Sequence, residues 1–184
     1  MNIKNFLQFL DTLSLRHDPY ENSHSINTMT LVMELAKATN YPSIKMDALK
    51  IAARVHDIGK LLIPETILNK QGKLTVEEFE MIHRHVHIGY DAIQAFTDFD
   101  PLIANVVLEH HERYDGTGYP GGISREAISI EARMVSICDT FDALTSSRAY
   151  RKALAVEDAV RIMEDDTGAF DPVLLDIFVR IITK

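Results

Sequence analysis

The chain has 184 residues, a formal net charge of -8, 46% apolar residues and a single cysteine. That length fits one domain over 1–184 with enough apolar material for a core; the acidic balance argues against gripping a nucleic-acid polymer, whose phosphates are held mainly by Lys and Arg; and a lone cysteine excludes a disulfide framework. No stretch reaches the roughly 18 unbroken apolar residues of a membrane span, and the first twenty residues carry Lys4, Asp11, Arg16 and Asp18 where a signal peptide would be apolar, so a soluble, cytoplasmic protein without a membrane span is expected.

In chain order, apolar spacing of the helical kind predicts a lead-in helix over 2–15, within residues 1–16, then helices over 23–39, 45–58, 75–95, 100–113, 126–146, 155–166 and 172–182. No segment alternates in the manner of a strand, so the expected fold class is all-α. Pro42 and Ser43 separate the second helix from the third, Gly59 through Gly72 reads as one long loop, and Asp115 through Ser124 packs four glycines and Pro120 into a second. Long glycine-rich loops in a small helical domain usually serve function. Thr75 and Glu78 have the Thr-x-x-Glu form of a capping box, which places the start of the fourth helix.

Two tandem pairs, His56-Asp57 and His110-His111, carry the chemistry. Imidazole and carboxylate are ligands of divalent transition metals, and these pairs offer more donors than one four-coordinate ion uses, which implies more than one metal. The single Cys138 excludes a thiolate cluster and is most simply core, so nitrogen and hard-oxygen ligation favours iron or manganese ahead of zinc. Metals of this kind acidify water enough to cleave a phosphate ester near neutral pH. A hydrolytic site is the expectation.

Helical phase says which candidates face inward. Met46, Leu49, Ala53 and His56 follow steps of three, four and three, so His56 ends an apolar stripe with Asp57 beside it. His24 heads a stripe continued by Thr28, Leu31 and Leu35. The helix over 126–146 is apolar on both sides, with Asp139 and Asp142 on one of them; an inward carboxylate there needs a cation or hydrogen bonds. Asp139 is the candidate ligand, and Asp142 reads as a helix-side acid. Phase does not choose among His83, His85 and His87.

The strings DPYENSH, HDIGKLLIP with ILNKQGKLT, HRHVHIG, HHERYDGTGYP, ARMVSICDTFDALTSSRAYR and FDP, in this order over residues 18 to 172, resemble the HD-GYP phosphodiesterases, which hydrolyse the bacterial second messenger cyclic di-GMP. The resemblance implies an HD-domain helical bundle extended by helices of the GYP region. It implies two divalent metals: one held by His24, His56, Asp57 and Asp139, with Asp57 bridging to a second held also by His85, His110 and His111. His85 is singled out because Gly89 completes the His-x-x-x-Gly pattern, which leaves His83 and His87 beside the site or on the surface. Lys60 is implied to contact the scissile phosphate and to help protonate the leaving oxygen, with Asp57 as the other catalytic group. Arg148 and Arg151, with Lys152 as a nearby substitute, are implied to hold the phosphates of the substrate, and Tyr119 of Gly118-Tyr119-Pro120 to lie near it. The implied products are linear pGpG and, on a second cut, GMP.

Departures from the pattern are equally specific. Members that hold three metals have a glutamate four residues before the first histidine, where this chain has Tyr20; Glu21, one place later, could substitute only if the segment before His24 is not yet helical. Ser25-Ile26-Asn27 stands where arginines are common. Members also usually carry a sensor or receiver domain ahead of this unit, so the expected protein partners are such a domain or a diguanylate cyclase. The competing expectations are a broader HD-type nucleotide phosphohydrolase and a catalytically weak signalling module.

Overall fold

The computed structural model describes residues 19–95, 100–147 and 152–184; the expected lead-in helix over 2–15 lies outside them. Among the described residues every regular element is helical and no strand occurs. In chain order they are α1 (Pro19–Ala38), α2 (Met46–Val55), α3 (Glu65–Leu68), α4 (Val76–His83), α5 (His85–Gln94), α6 (Pro101–Glu109), α7 (Ile130–Thr145), α8 (Val156–Asp165) and α9 (Pro172–Ile182). None of the described helices is long and apolar enough to cross a membrane.

Helix starts follow local chemistry. Thr75 caps α4 in a reciprocal box with Glu78. Asp100 and Asp171 cap α6 and α9, each followed by a proline at the first helical position, where its missing N–H costs nothing. The Ser129 hydroxyl caps α7, so that helix begins at Ile130 rather than at 126, behind a separate 3-10 turn over Arg125–Ala127.

Three expectations are corrected. The third helix stops at Val55, with His56 at its C-cap, and Asp57 leads into a 3-10 turn over Ile58–Leu62. The stretch from Gly59 to Gly72 is therefore not one loop, since that turn and the short α3 occupy much of it. The helix expected over 75–95 is two helices broken at Arg84, whose N–H reaches the Glu80, Met81 and Ile82 carbonyls as α4 tightens and ends.

Helix α1 lies against α2, α7 and α9; α6 packs on α2, α5 and α7. The core between them holds Val32 and Leu35 of α1, Leu49 and Ala53 of α2, Ile103 and Val107 of α6, Met134, Ile137 and Cys138 of α7, and Phe178 of α9. Both sides of α7 are covered, as its two apolar faces require: Ala132 and Val135 are as buried as Met134 and Ile137. The turn after Asp57 sits directly on α5, because a Cβ on Gly59 would lie 1.9 Å from the His85 carbonyl oxygen and 2.8 Å from the Gly89 nitrogen. Only glycine permits that approach, and it sets Asp57 and His85 side by side.

Candidate metal centre

Five helices deliver imidazoles and carboxylates to one buried point. His24 comes from α1, His56 and Asp57 from the end of α2, His85 from the first residue of α5, His110 and His111 from the end of α6, and Asp139 from the middle of α7. The ligand-type atoms form two groups, each spanning no more than 4.8 Å: His24, His56 and Asp139 in one, and Asp57, His85, His110 and His111 in the other.

Asp57 joins the groups. Its Oδ2 lies 3.3 Å from His56 Nε2, and its Oδ1 lies 3.2 Å from His85 Nε2 and 3.6 Å from His110 Nε2. Asp139 Oδ1 is 2.8 Å from His24 Nε2 and 3.6 Å from His56 Nε2. Lys60 Nζ donates to Asp57 Oδ2 over 2.5 Å.

The ring tautomers follow from what holds each imidazole. His56 Nδ1 is 2.9 Å from the Ala53 carbonyl, His85 Nδ1 is 2.7 Å from that of Ile82, and His110 Nδ1 is 3.0 Å from that of Val107. A carbonyl only accepts, so Nδ1 carries the proton and Nε2 turns toward the shared point. His24 uses a carboxylate instead, donating from Nδ1 to Asp142 Oδ2 over 2.6 Å. A ring nitrogen held by carbonyl or carboxylate while the other faces inward is the arrangement metal-binding histidines adopt.

A divalent metal suits these donors. Nε2 of His56, His85 and His110 and Oδ1 of Asp57 are all buried without a hydrogen-bond partner, and four unsatisfied polar atoms converging in a protein interior are costly unless a cation meets them.

Proton affinities in the pocket respond to neighbours. Burial pushes His24 down, but Asp139 and Asp142 outweigh it and raise its pKa to about 9. Burial likewise opposes, and Asp57 and Asp139 overcome, the protonation of His56, which is held well above the ordinary imidazole value. Asp57 and Asp139 lie well below the carboxylate range despite burial, Asp57 through Lys60 and His56 and Asp139 through His24 and His56. His110 and His111 are lowered, first by burial and then by neighbouring imidazoles.

The loop from Asp115 to Ser124 closes over this point. Gly118 is needed there for proximity rather than for an unusual φ: a Cβ would lie 2.3 Å from the Arg113 nitrogen and 2.6 Å from the His111 oxygen. Gly116 and Gly122 are the loop residues that need positive φ. Buried Glu112 accepts from the Gly121 N–H over 2.5 Å and ties the loop down, and Tyr119 stacks on the ring of His111 at 4.8 Å.

Arg148 and Arg151 lie outside the described residues. Lys152 is exposed, and no hydrogen bond or ion pair joins it to the described site. Asp142, read as a helix-side acid, is 4% exposed and accepts from His24, Asn27 and Ser146. The argument that made Asp139 a candidate, an inward carboxylate on a sandwiched helix, applied equally to the acid one turn later. Asn27, in the segment that departs from the usual arginines, steadies Asp142. His83, partly buried, stacks on Tyr119, whereas His87 is exposed.

The sequence profile describing an HD domain matches residues 9–174. The chain belongs to the HD domain family. This HD domain is 40% identical over 163 residues to a cyclic di-GMP phosphodiesterase of Pseudomonas aeruginosa, covering 89% of this chain and 39% of that protein. It is 42% identical over 134 residues to a cyclic di-GMP phosphodiesterase response regulator of Xanthomonas campestris, covering 72% of this chain and 35% of that protein. The HD domain therefore spans well under half the length of these relatives. The structure of an HDGYP protein from Bdellovibrio bacteriovorus superposes with a TM-score of 0.74 at 22% identity, over 89% of this chain and 53% of that one, a likeness of fold. Divalent-metal binding accords with the family and with the His/Asp cluster of this chain.

Proposed function

We propose that this HD domain is a metal-dependent phosphodiesterase that hydrolyses cyclic di-GMP. The observation that carries the proposal is the pair of adjacent ligand groups sharing Asp57, whose two oxygens face different imidazoles. His24, His56, Asp57 and Asp139 hold one divalent ion, and Asp57, His85, His110 and His111 the other. Nitrogen and carboxylate donors without a thiolate suit iron or manganese. Tyr20 stands four residues before His24, where members that hold three metals have a glutamate, which supports two ions rather than three.

When bound, the ions supply Lewis acidity to the phosphodiester and acidify water for its attack. The remaining work belongs to the chain. Asp142 and the Ala53, Ile82 and Val107 carbonyls hold the imidazole protons on Nδ1, away from the reacting group. Lys60, a quarter exposed beside Asp57, places an ammonium at the departing 3′ oxygen and donates a proton from Nζ. Arg148 and Arg151 grip the phosphates. The GYP loop, tied down by Glu112, limits water access over His111. A sensor, receiver or diguanylate cyclase domain would act on this unit as its regulatory partner.

Protein purified without chelators, assayed for metal content and incubated with cyclic di-GMP, 3′,3′-cGAMP and a mononucleotide panel tests the reading. The expected outcome is about two iron or manganese ions per chain and conversion of cyclic di-GMP to pGpG. Metal-replete protein that turns over mononucleotides alone would move it to a broader phosphohydrolase class, and no turnover of any substrate would leave a signalling module.

A further inference from the structure

His111 differs from the other four imidazoles of the centre. His24, His56, His85 and His110 are each oriented by a hydrogen bond from Nδ1 to a carboxylate or a backbone carbonyl. Among the described residues no hydrogen bond reaches either ring nitrogen of His111, which instead meets rings: Tyr119 stacks on it at 24° with centroids 4.8 Å apart, His110 lies 4.1 Å away, and His85 meets it edge-on at 5.1 Å.

Tyr119 is in turn backed by a ring outside the ligand set. His83, the last residue of α4, stacks on it at 15° with centroids 3.7 Å apart. One helical turn earlier, Phe79 meets the ring of His83 at 57° with centroids 4.1 Å apart. The rings form a column from the half-exposed Phe79 through His83 and Tyr119 to His111. Its inner end also rests on main chain, since Tyr119 N–H donates to the His111 carbonyl over 3.2 Å and Gly118 permits that approach.

We propose that His83 and Tyr119 are positioning residues for the ion held by Asp57, His85, His110 and His111, the column fixing the His111 ring where the other four histidines use a hydrogen bond. Stacked rings resist tilting of His111 through packing and π-contact, and outer contacts of this sort commonly govern how firmly a ligand holds its ion. The ring of His83, not its charge, performs the task, so another aromatic ring replaces it. The Tyr119 hydroxyl is likewise dispensable for this role.

The inference rests on the two-ion reading above, and one experiment separates their failures. Wild type, His83→Ala, His83→Phe, Tyr119→Ala and Tyr119→Phe are loaded with Mn(II), passed over a desalting column and challenged with EDTA, with ion content followed by elemental analysis and folding by thermal melting. Each alanine variant is expected to lose one of its two ions about tenfold faster or more, while the other ion and the phenylalanine variants follow wild type. Alanine variants that melt as wild type and release both ions at wild-type rates overturn this inference alone, as do phenylalanine variants that lose the ion as fast as alanine. A wild type that never takes up a second ion overturns the binuclear reading and this inference with it.

Discussion

The half of the centre formed by His24, His56 and Asp139 and the half formed by Asp57, His85, His110 and His111 use the same side-chain types and hold protons in opposite ways. In the first, imidazoles face carboxylates and keep their protons: Asp139 and Asp142 raise His24 to about 9 against the effect of burial, and Asp57 and Asp139 do the same for His56. In the second, burial and neighbouring imidazoles strip His110 and His111. Burial alone favours the neutral imidazole, and the proton is kept only where facing carboxylates outweigh that cost. A metal entering the first half must displace protons from His24 and His56, whereas in the second His110 and His111 are already biased toward the neutral form.

The comparison is broken most severely at the residue the halves share. Asp57→Asn removes the negative charge that faces His56, His85, His110 and Lys60; cyclic di-GMP hydrolysis is expected to fall on the order of 10²–10³-fold, with ions lost from both halves by elemental analysis. Loss from one half only would show that Asp57 is not shared.

Proton load predicts different pH slopes. Below about 9 His24 of the metal-free protein carries a proton that competes with the ion, so raising the pH removes a competitor and affinity rises, by about tenfold per pH unit for each proton displaced. Because His56 adds a second proton, the first half should show a steep dependence and the second a shallow one in competition titrations with a metal indicator across about pH 6 to 8. Equal slopes would remove the distinction.

Asp142→Asn sharpens the contrast by touching one half. Without the carboxylate at its Nδ1, His24 loses both its orientation and part of its raised proton affinity; affinity of the first half is expected to fall about 10–100-fold, with the second unchanged, read by the same titration. The smallest effect belongs to a site remote from both halves. Thr75→Ala removes the α4 cap and should cost about 1 kcal/mol in urea unfolding while metal content stays at the wild-type level.

Much of the architecture could be read in one dimension. The helices over 155–166 and 172–182 are seen to within a residue as Val156–Asp165 and Pro172–Ile182, since caps and apolar period are local properties. The Thr75 box is present as expected. The break at Arg84 and the turn after Asp57 were not legible, because hydrogen bonding to several carbonyls and packing against α5 leave no periodicity to detect. The roles of Asp142 and Asn27 were not legible for a related reason: what an acid on a helix does depends on what lies across from it, and here His24 lies 118 positions away in the chain. His83, undecided by helical phase, acquires its contact only when the GYP loop folds over α4.

The order of apolar residues, caps and breakers by itself determined an all-helical chain, and the tandem His-Asp and His-His pairs set out which chemistry it carries. Only the tertiary structure decided which oxygen of Asp57 faces which imidazole, which ring is held by a hydrogen bond and which by stacking, and where protons reside. The physical reason is range: helix period and capping act within a few residues, whereas burial, charge and ring contact depend on neighbours that folding alone brings within a few ångströms.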